Sequence, residues 1–232
     1  MMIRELSESF DELKEDPNTK VLIISAKGKS FCAGGDLDWM KEQIFSDRKT
    51  RIEEARKLAD LLYKMYQFPK PLIAKVEGNA FGGGIGIISV CDVAISIENI
   101  KLALTEAKLG LIPATISPYV ISKVGSSNGI DLFTSARTFY PPEAKNIGLI
   151  KSFCNEESID NIVNEEADSI LINGPSAVTA SKNLVRNLSS KIDENTIKFT
   201  VEALADVWEN PESIEGINAF FEKRKPNWIM EK

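Results

Sequence analysis
The chain has 232 residues, with 28 Lys and Arg against 34 Asp and Glu, no histidine, and a net charge of −6 at pH 7. A 43% share of hydrophobic residues fills a core without covalent staples, while the missing histidine removes Ser-His-Asp, Cys-His and His-metal chemistry and leaves carboxylate, Lys, Tyr or Cys as acids and bases. The acidic balance argues against nucleic acid as a partner, no apolar run has the length of a membrane span and the first residues read as neither signal nor transit peptide, and Cys32, Cys91 and Cys154, without CxxC or metal-ligand spacing, point to structural thiols in a reduced, cytoplasmic setting.

Leu6, Phe10 and Leu13 recur at helical spacing within residues 4–14, and Asp16-Pro17-Asn18 breaks that helix ahead of an apolar strand over Val21–Ser25. A loop from Lys27 to Asp36 follows. Over Arg48–Tyr66, Ala55, Leu58, Ala59, Leu62 and Met65 share one helical face, and Phe68-Pro69-Lys70-Pro71 stops the helix. The strand Pro71–Val76 then leads through Gly82-Gly83-Gly84 into an apolar helix, Ile85–Val90. Strand-like runs at Val93–Ile97 and Lys101–Leu104 precede a short helix over Ser117–Val124. Pro142-Glu143-Ala144 opens another helix and Leu149–Cys154 is the last strand. Helices near 157–172, 176–188, 194–208 and 211–223 are punctuated by Asn173-Gly174-Pro175, Ser189-Ser190 and Asn210-Pro211. This order predicts an α/β core over 1–150 and a helical C-terminal region over 151–232 that packs on the core or on a neighbouring subunit.

The glycine triplet is the densest local signal. Glycines at a strand-to-helix junction either serve a tight packing turn or let a ligand approach backbone N–H groups at the positive end of a helix, which suits a developing anion. No Lys-Ser or Lys-Thr follows as a phosphate loop requires, and Gly82-Gly83-Gly84-Ile85-Gly86-Ile87 lacks the third glycine of a dinucleotide fingerprint. ATP and NAD are therefore disfavoured.

Three segments, Phe31-Cys-Ala-Gly-Gly-Asp-Leu37, Gly78-Asn-Ala-Phe-Gly-Gly-Gly84 and Leu104-Thr-Glu-Ala-Lys-Leu-Gly-Leu-Ile-Pro113, resemble in order and spacing the crotonase, or enoyl-CoA hydratase/isomerase, superfamily. The resemblance runs from about Val21 to Trp228. It implies an α/β spiral core of ββα units with a helical trimerisation region, and an acyl-CoA thioester as substrate. Coenzyme A is then part of the substrate, with no permanently bound cofactor and no metal, and the assembly is a homotrimer or a dimer of trimers. By the same resemblance the N–H groups of Ala33 and Gly83 point at the thioester oxygen, Gly34, Gly82 and Gly84 keep the loops small, and Glu106 moves protons. Asp36 and Leu37 shape the turn after Ala33. Met40 and Lys41 begin a helix over the acyl chain, Pro113 follows the glutamate, and Phe220 with Lys223 matches closing-helix positions that in relatives meet CoA from an adjacent subunit.

Three departures separate the chain from the common hydratase pattern. Gly86 stands where many family hydratases carry a second glutamate, so one of two acid/base groups is absent. Leu111-Ile-Pro-Ala-Thr-Ile-Ser-Pro-Tyr-Val120 replaces a glycine-rich segment and resembles bacterial methylglutaconyl-CoA hydratases; Ser117 or Tyr119 then either positions water or serves as helix N-cap and packing residue, respectively. The chain also starts at the helix Ile3–Glu15, past a strand pair that contributes to the CoA pocket in relatives. The resemblance implies hydration of a 2-enoyl-CoA, with double-bond isomerisation and a non-catalytic binding role as alternatives.

Overall fold
The computed structural model describes residues 2–189 and 191–229. An N-terminal helix α1 (Met2–Glu15) precedes β1 (Leu22–Ile24), β2 (Ser30–Cys32), α2 (Leu37–Phe45) and α3 (Arg48–Gln67). Then come β3 (Leu72–Val76), β4 (Asn79–Phe81), α4 (Gly83–Val90), β5 (Val93–Ile97) and β6 (Leu102–Ala103). A 3-10 turn at Glu106–Leu109 leads to α5 (Ser117–Ser135), β7 (Thr138–Phe139), α6 (Pro141–Asn146) and β8 (Ser152–Cys154), and α7 (Ile159–Leu171), α8 (Pro175–Leu188), α9 (Glu194–Trp208) and α10 (Pro211–Phe221) complete the chain.

Strands β1 to β6 alternate between two sheets, and β7 and β8 then add one strand to each in the reverse order. One has the order β1-β3-β5-β8, parallel throughout, and the other β2-β4-β6-β7, with only β7 antiparallel. Each β-β pair therefore contributes one strand to each sheet and the next pair adds alongside, which is a spiral. Leu72, Ile73, Ala74 and Val76 of β3 are wholly buried because strands on both flanks and helices on the faces leave no solvent side. Every residue of α4 from Gly84 to Val90 is buried as well, so this helix runs through the core with no polar face. Helix α3 starts at Asp47, whose carboxylate accepts the Thr50 N–H at 2.8 Å, and stops at Phe68 ahead of Pro69, as the spacing predicts.

Differences from the expected elements are local. The strands β2, β4 and β7 are two or three residues long, too short to show alternation. Helix α5 reaches Ser135 rather than ending near Val124, because Gly125, at φ 76°, kinks the chain and a second helical segment resumes. Ser117 is not the N-cap; Ile116 is, and the Ser117 hydroxyl donates back to the Ala114 carbonyl at 2.8 Å. The Leu149–Cys154 run pairs only from Ser152.

Helix α8 buries none of its residues fully and is tethered by charge. Lys182 donates to the Asp92 carboxylate and, at 2.7 Å, to the Lys70 carbonyl. Arg186 stacks 4.6 Å from the Tyr66 ring centroid and approaches Asp92 at 3.6 Å. Asp92 also accepts the Leu72 N–H at 2.8 Å, so one carboxylate joins the helix to the edge of β3. Burial pulls the Lys182 ammonium down to about 8, against the opposing pull of Asp92. Replacing Asp92→Asn leaves a Lys182 side chain that is 8% exposed without its counter-charge. We expect a loss of about 3 kcal/mol in urea unfolding, with amide exchange rising first in α8.

Candidate active site
Parallel pairing aligns strand ends. Ser30 lies opposite Asn79 and Cys32 opposite Ala80, while Ala80 and Phe81 lie opposite Leu102 and Ala103. The carboxyl ends of β2, β4 and β6 thus emerge side by side and deliver Ala33, Gly82-Gly83 and Glu106 to one place, the usual location of sites in open parallel sheets. Gly83 is the first residue of α4, where an N–H has no acceptor within the helix. Among the described residues neither that N–H nor the one of Ala33 donates to another group.

Two glycines make the close approach possible. Gly82 sits at φ 48° and ψ −113°, a backbone setting that side-chain-bearing residues avoid. At Gly84 a Cβ would stand 2.7 Å from the Cβ of Cys32, so the glycine lets the start of α4 lie directly against the end of β2. Over Gly83 the nearest atom to a Cβ position is Leu58 Cδ2 at 3.9 Å, which leaves space facing the pocket.

Glu106 opens the 3-10 turn, and its Oε1 lies 3.0 Å from the position of a Cβ on Gly82. Its Oε2 is buried with no hydrogen-bond partner in the structure. Burial pushes its carboxyl up to about 7, partly offset by its own backbone N–H. The turn itself is clamped from the far end of the chain. A Cβ on Gly110 would stand 2.6 Å from the Glu212 carbonyl carbon, and one on Gly216 would stand 2.5 Å from the Leu109 oxygen, so α10 presses on the backbone that carries Glu106.

A cavity of about 380 Å³ joins these groups, and it takes in Ala33, Gly34, Leu37, Met40, Gly82, Gly83, Glu106, Pro113 and Phe220 of the residues singled out from the sequence. Others lie elsewhere. Asp36 caps α2, accepting the N–H groups of Asp38 and Trp39 at 2.9 and 3.0 Å. Gly84 is packed in the loop contact just described, Ser117 is spent on Ala114, and Lys223 lies outside the lining at the C-terminal end of α10. Tyr119 is corrected most plainly: it is 1% exposed, in the core against Tyr66 at 5.5 Å between ring centroids, and does not line the pocket. Trp39, Leu58, Lys108, Ile116, Leu204 and Trp208 line it without having been singled out. Trp39, Leu58, Leu204 and Trp208 read as ordinary apolar stripe positions on their helices.

Gly86 acquires a physical reason. A Cβ there would stand 2.9 Å from the Cβ of Ile116, so the wall beside α4 is filled by an isoleucine and a longer side chain at 86 has no room. Glu106 is the sole carboxylate lining the cavity among the described residues.

The enoyl-CoA hydratase/isomerase family model matches residues 1–231. The chain belongs to this family. It is 30% identical to the enoyl-CoA hydratase EchA19 of Mycobacterium tuberculosis over 228 residues, covering 98% of this chain and 86% of the relative. A crystal structure of an enoyl-CoA hydratase from Shewanella pealeana is 37% identical with a TM-score of 0.79, covering 98% of this chain and 85% of that one. Another, from Mycobacterium avium, is 27% identical with a TM-score of 0.88, covering 98% and 86%. The spiral is therefore the crotonase fold, with helices α7 to α10 as its C-terminal region, and the chain is an enzyme of this family.

An unpaired buried carboxyl costs stability when it ionises. Its pKa rises from an ordinary 4.5 to about 7 on folding, so between those values the folded protein holds the extra proton and stability falls as pH rises. Glu106→Gln is expected to raise stability above pH 7 by roughly 1 to 3 kcal/mol and to flatten this dependence, as read from urea unfolding at pH 5 and pH 8.

Proposed function
We propose that this enzyme adds water to a 2-enoyl-CoA thioester, with a branched, methylglutaconyl-like acyl group among its substrates. The observation that carries the reading is a carboxylate poised near neutrality beside two uncommitted N–H groups. The N–H groups of Ala33 and Gly83 receive the thioester oxygen, and two donors aimed at a developing oxyanion contribute on the order of 3 kcal/mol each to the transition state. Glu106 takes a proton from water as its oxygen bonds to C3, the π electrons move onto the thioester oxygen, and the same carboxyl returns the proton to C2. One carboxylate closes this cycle. Leu37, Met40, Pro113 and Phe220 surround the acyl and pantetheine portions, and Lys223, outside the lining at the end of α10, is assigned to the CoA phosphates. No metal or bound cofactor enters the reaction.

A second reading is favoured by Ile116 filling the space beside Gly86. With one carboxylate, Glu106 can also take a proton from C2 of a 3-enoyl thioester and return it at C4, which isomerises the double bond. A non-catalytic role has less support, since a buried unpaired carboxylate destabilises a fold that needs only to bind. Turnover of enoyl-CoA thioesters, branched ones included, in heavy-oxygen water separates the readings. Hydration adds labelled oxygen to the acyl group; product that shifts its double bond without gaining oxygen overturns hydration in favour of isomerisation. Glu106→Gln should lower kcat by a factor of roughly 100 to 10,000 in either case.

The same reading includes a cytoplasmic homotrimer or dimer of trimers, and no helix among the described residues is long and apolar enough to cross a membrane. Support for assembly comes from α8, where Leu184, Val185 and Leu188 are 60 to 80% exposed along one face. Leu184→Glu with Leu188→Glu should shift sedimentation to the monomer, and a wild-type protein that already sediments as a monomer overturns the assembly.

A further inference from the structure
Away from Glu106 and the glycine loops the cavity is walled by Leu37, Trp39, Met40, Leu204, Trp208 and Phe220, contributed by α2, α9 and α10. Trp39 and Trp208 meet edge to face, with ring centroids 6.5 Å apart and planes at 86°, and Trp208 is 2% exposed. Ile44, Val207, Ile217 and Phe221 pack with both indoles in one small core.

Arg51 ties both tryptophan-bearing helices of the wall to α3, beside the ion pairs that Arg48 makes with Asp206 and Glu209 at the end of α9. Arg51 on α3 donates through Nε to the Gln43 carbonyl at 2.9 Å and through Nη2 to the Ile44 carbonyl at 3.0 Å, satisfying the open end of α2. Its Nη1 donates to the Trp208 carbonyl at 3.2 Å, and the cation lies 5.6 Å from the centroid of the Trp208 ring. The two helices that supply the indoles are therefore fixed to a third. Moving the wall requires breaking charge-assisted hydrogen bonds and opening a packed core, not merely turning a side chain.

We propose that Trp39 and Trp208, locked by Arg51, form a rigid end wall that makes the enzyme selective for short acyl groups and excludes medium and long straight chains. The inference rests on the acyl-CoA reading above and deepens it to a substrate size. In an open apolar tunnel each added methylene tightens binding about fourfold, so six of them would make decanoyl-CoA bind roughly four thousandfold more tightly than butyryl-CoA. A wall reverses that order.

Titration calorimetry with butyryl-CoA, decanoyl-CoA and free CoA tests this without turnover. The wild type should bind butyryl-CoA at least tenfold more tightly than decanoyl-CoA. Trp208→Ala and Trp39→Ala should each shift the ratio toward decanoyl-CoA by tenfold or more, and Arg51→Met, which touches no substrate, should shift it in the same direction. Should the buried Trp208→Ala fail to fold, Trp39→Ala and Arg51→Met carry the comparison. Tighter binding of decanoyl-CoA by the wild type overturns the wall, as does a ratio unmoved in the folded variants, or a butyryl-CoA affinity no better than that of free CoA. Because saturated thioesters are not hydrated, a failed crotonyl-CoA hydration assay beside an intact butyryl preference would count against the proposed reaction and leave the wall standing.

Discussion

The parallel pairing of three very short strands is the constraint on which the site depends. The strands β2, β4 and β6 contribute few hydrogen bonds, yet their shared direction puts three chain segments far apart in sequence at one edge. Register alone does not bring Ala33 to Gly83. The contact between Gly84 and Cys32 does, because any side chain at 84 would hold the start of α4 away from the end of β2. Backbone proximity at this point is thus a packing property of two residues that have no chemical role themselves.

Around that edge the fold accepts local cost. Gly82 occupies a conformation that other residues avoid, and Glu106 is desolvated without a partner. Both are unfavourable for folding alone, and both are held by well-packed surroundings: the buried α4 beneath the loop and α10 against the turn. Sites where local rules are broken and neighbouring packing compensates are where function is expected. The near-neutral carboxyl arises from the protein's own burial, so it exists before an acyl chain adds further desolvation.

Much of this was legible in the sequence. The long helices α3, α9 and α10 declare their bounds through Asp47, Asp193 and Asn210 as caps and through Pro211 at the start of α10, and the triplet at 82–84 with Glu106 marks the chemical edge of the pocket. What could not be read depends on contacts between distant segments. Three-residue strands carry no period. The second half of α5, with Gly125, two serines and Gly129, has the composition of a loop. Trp39 and Trp208 are apolar positions on amphipathic helices, and nothing in either helix records that their indoles meet. Gly86 is a bare substitution until Ile116, thirty residues on, is found against it, and of the two roles open to Tyr119 from the sequence, water positioning and packing, burial in the core leaves packing.

The clamp of α10 on the turn after Glu106 bears on the order of folding. Gly110 packs on Glu212 and Gly216 on Leu109, across more than a hundred residues of chain, so these contacts close a long loop and carry an entropic cost. The α/β spiral, built from neighbouring ββα units, can form before that loop closes. The turn that carries the glutamate therefore gains its final restraint only when α10 docks. Recovery of activity after denaturation should then lag behind recovery of secondary structure, as the last cooperative step of refolding.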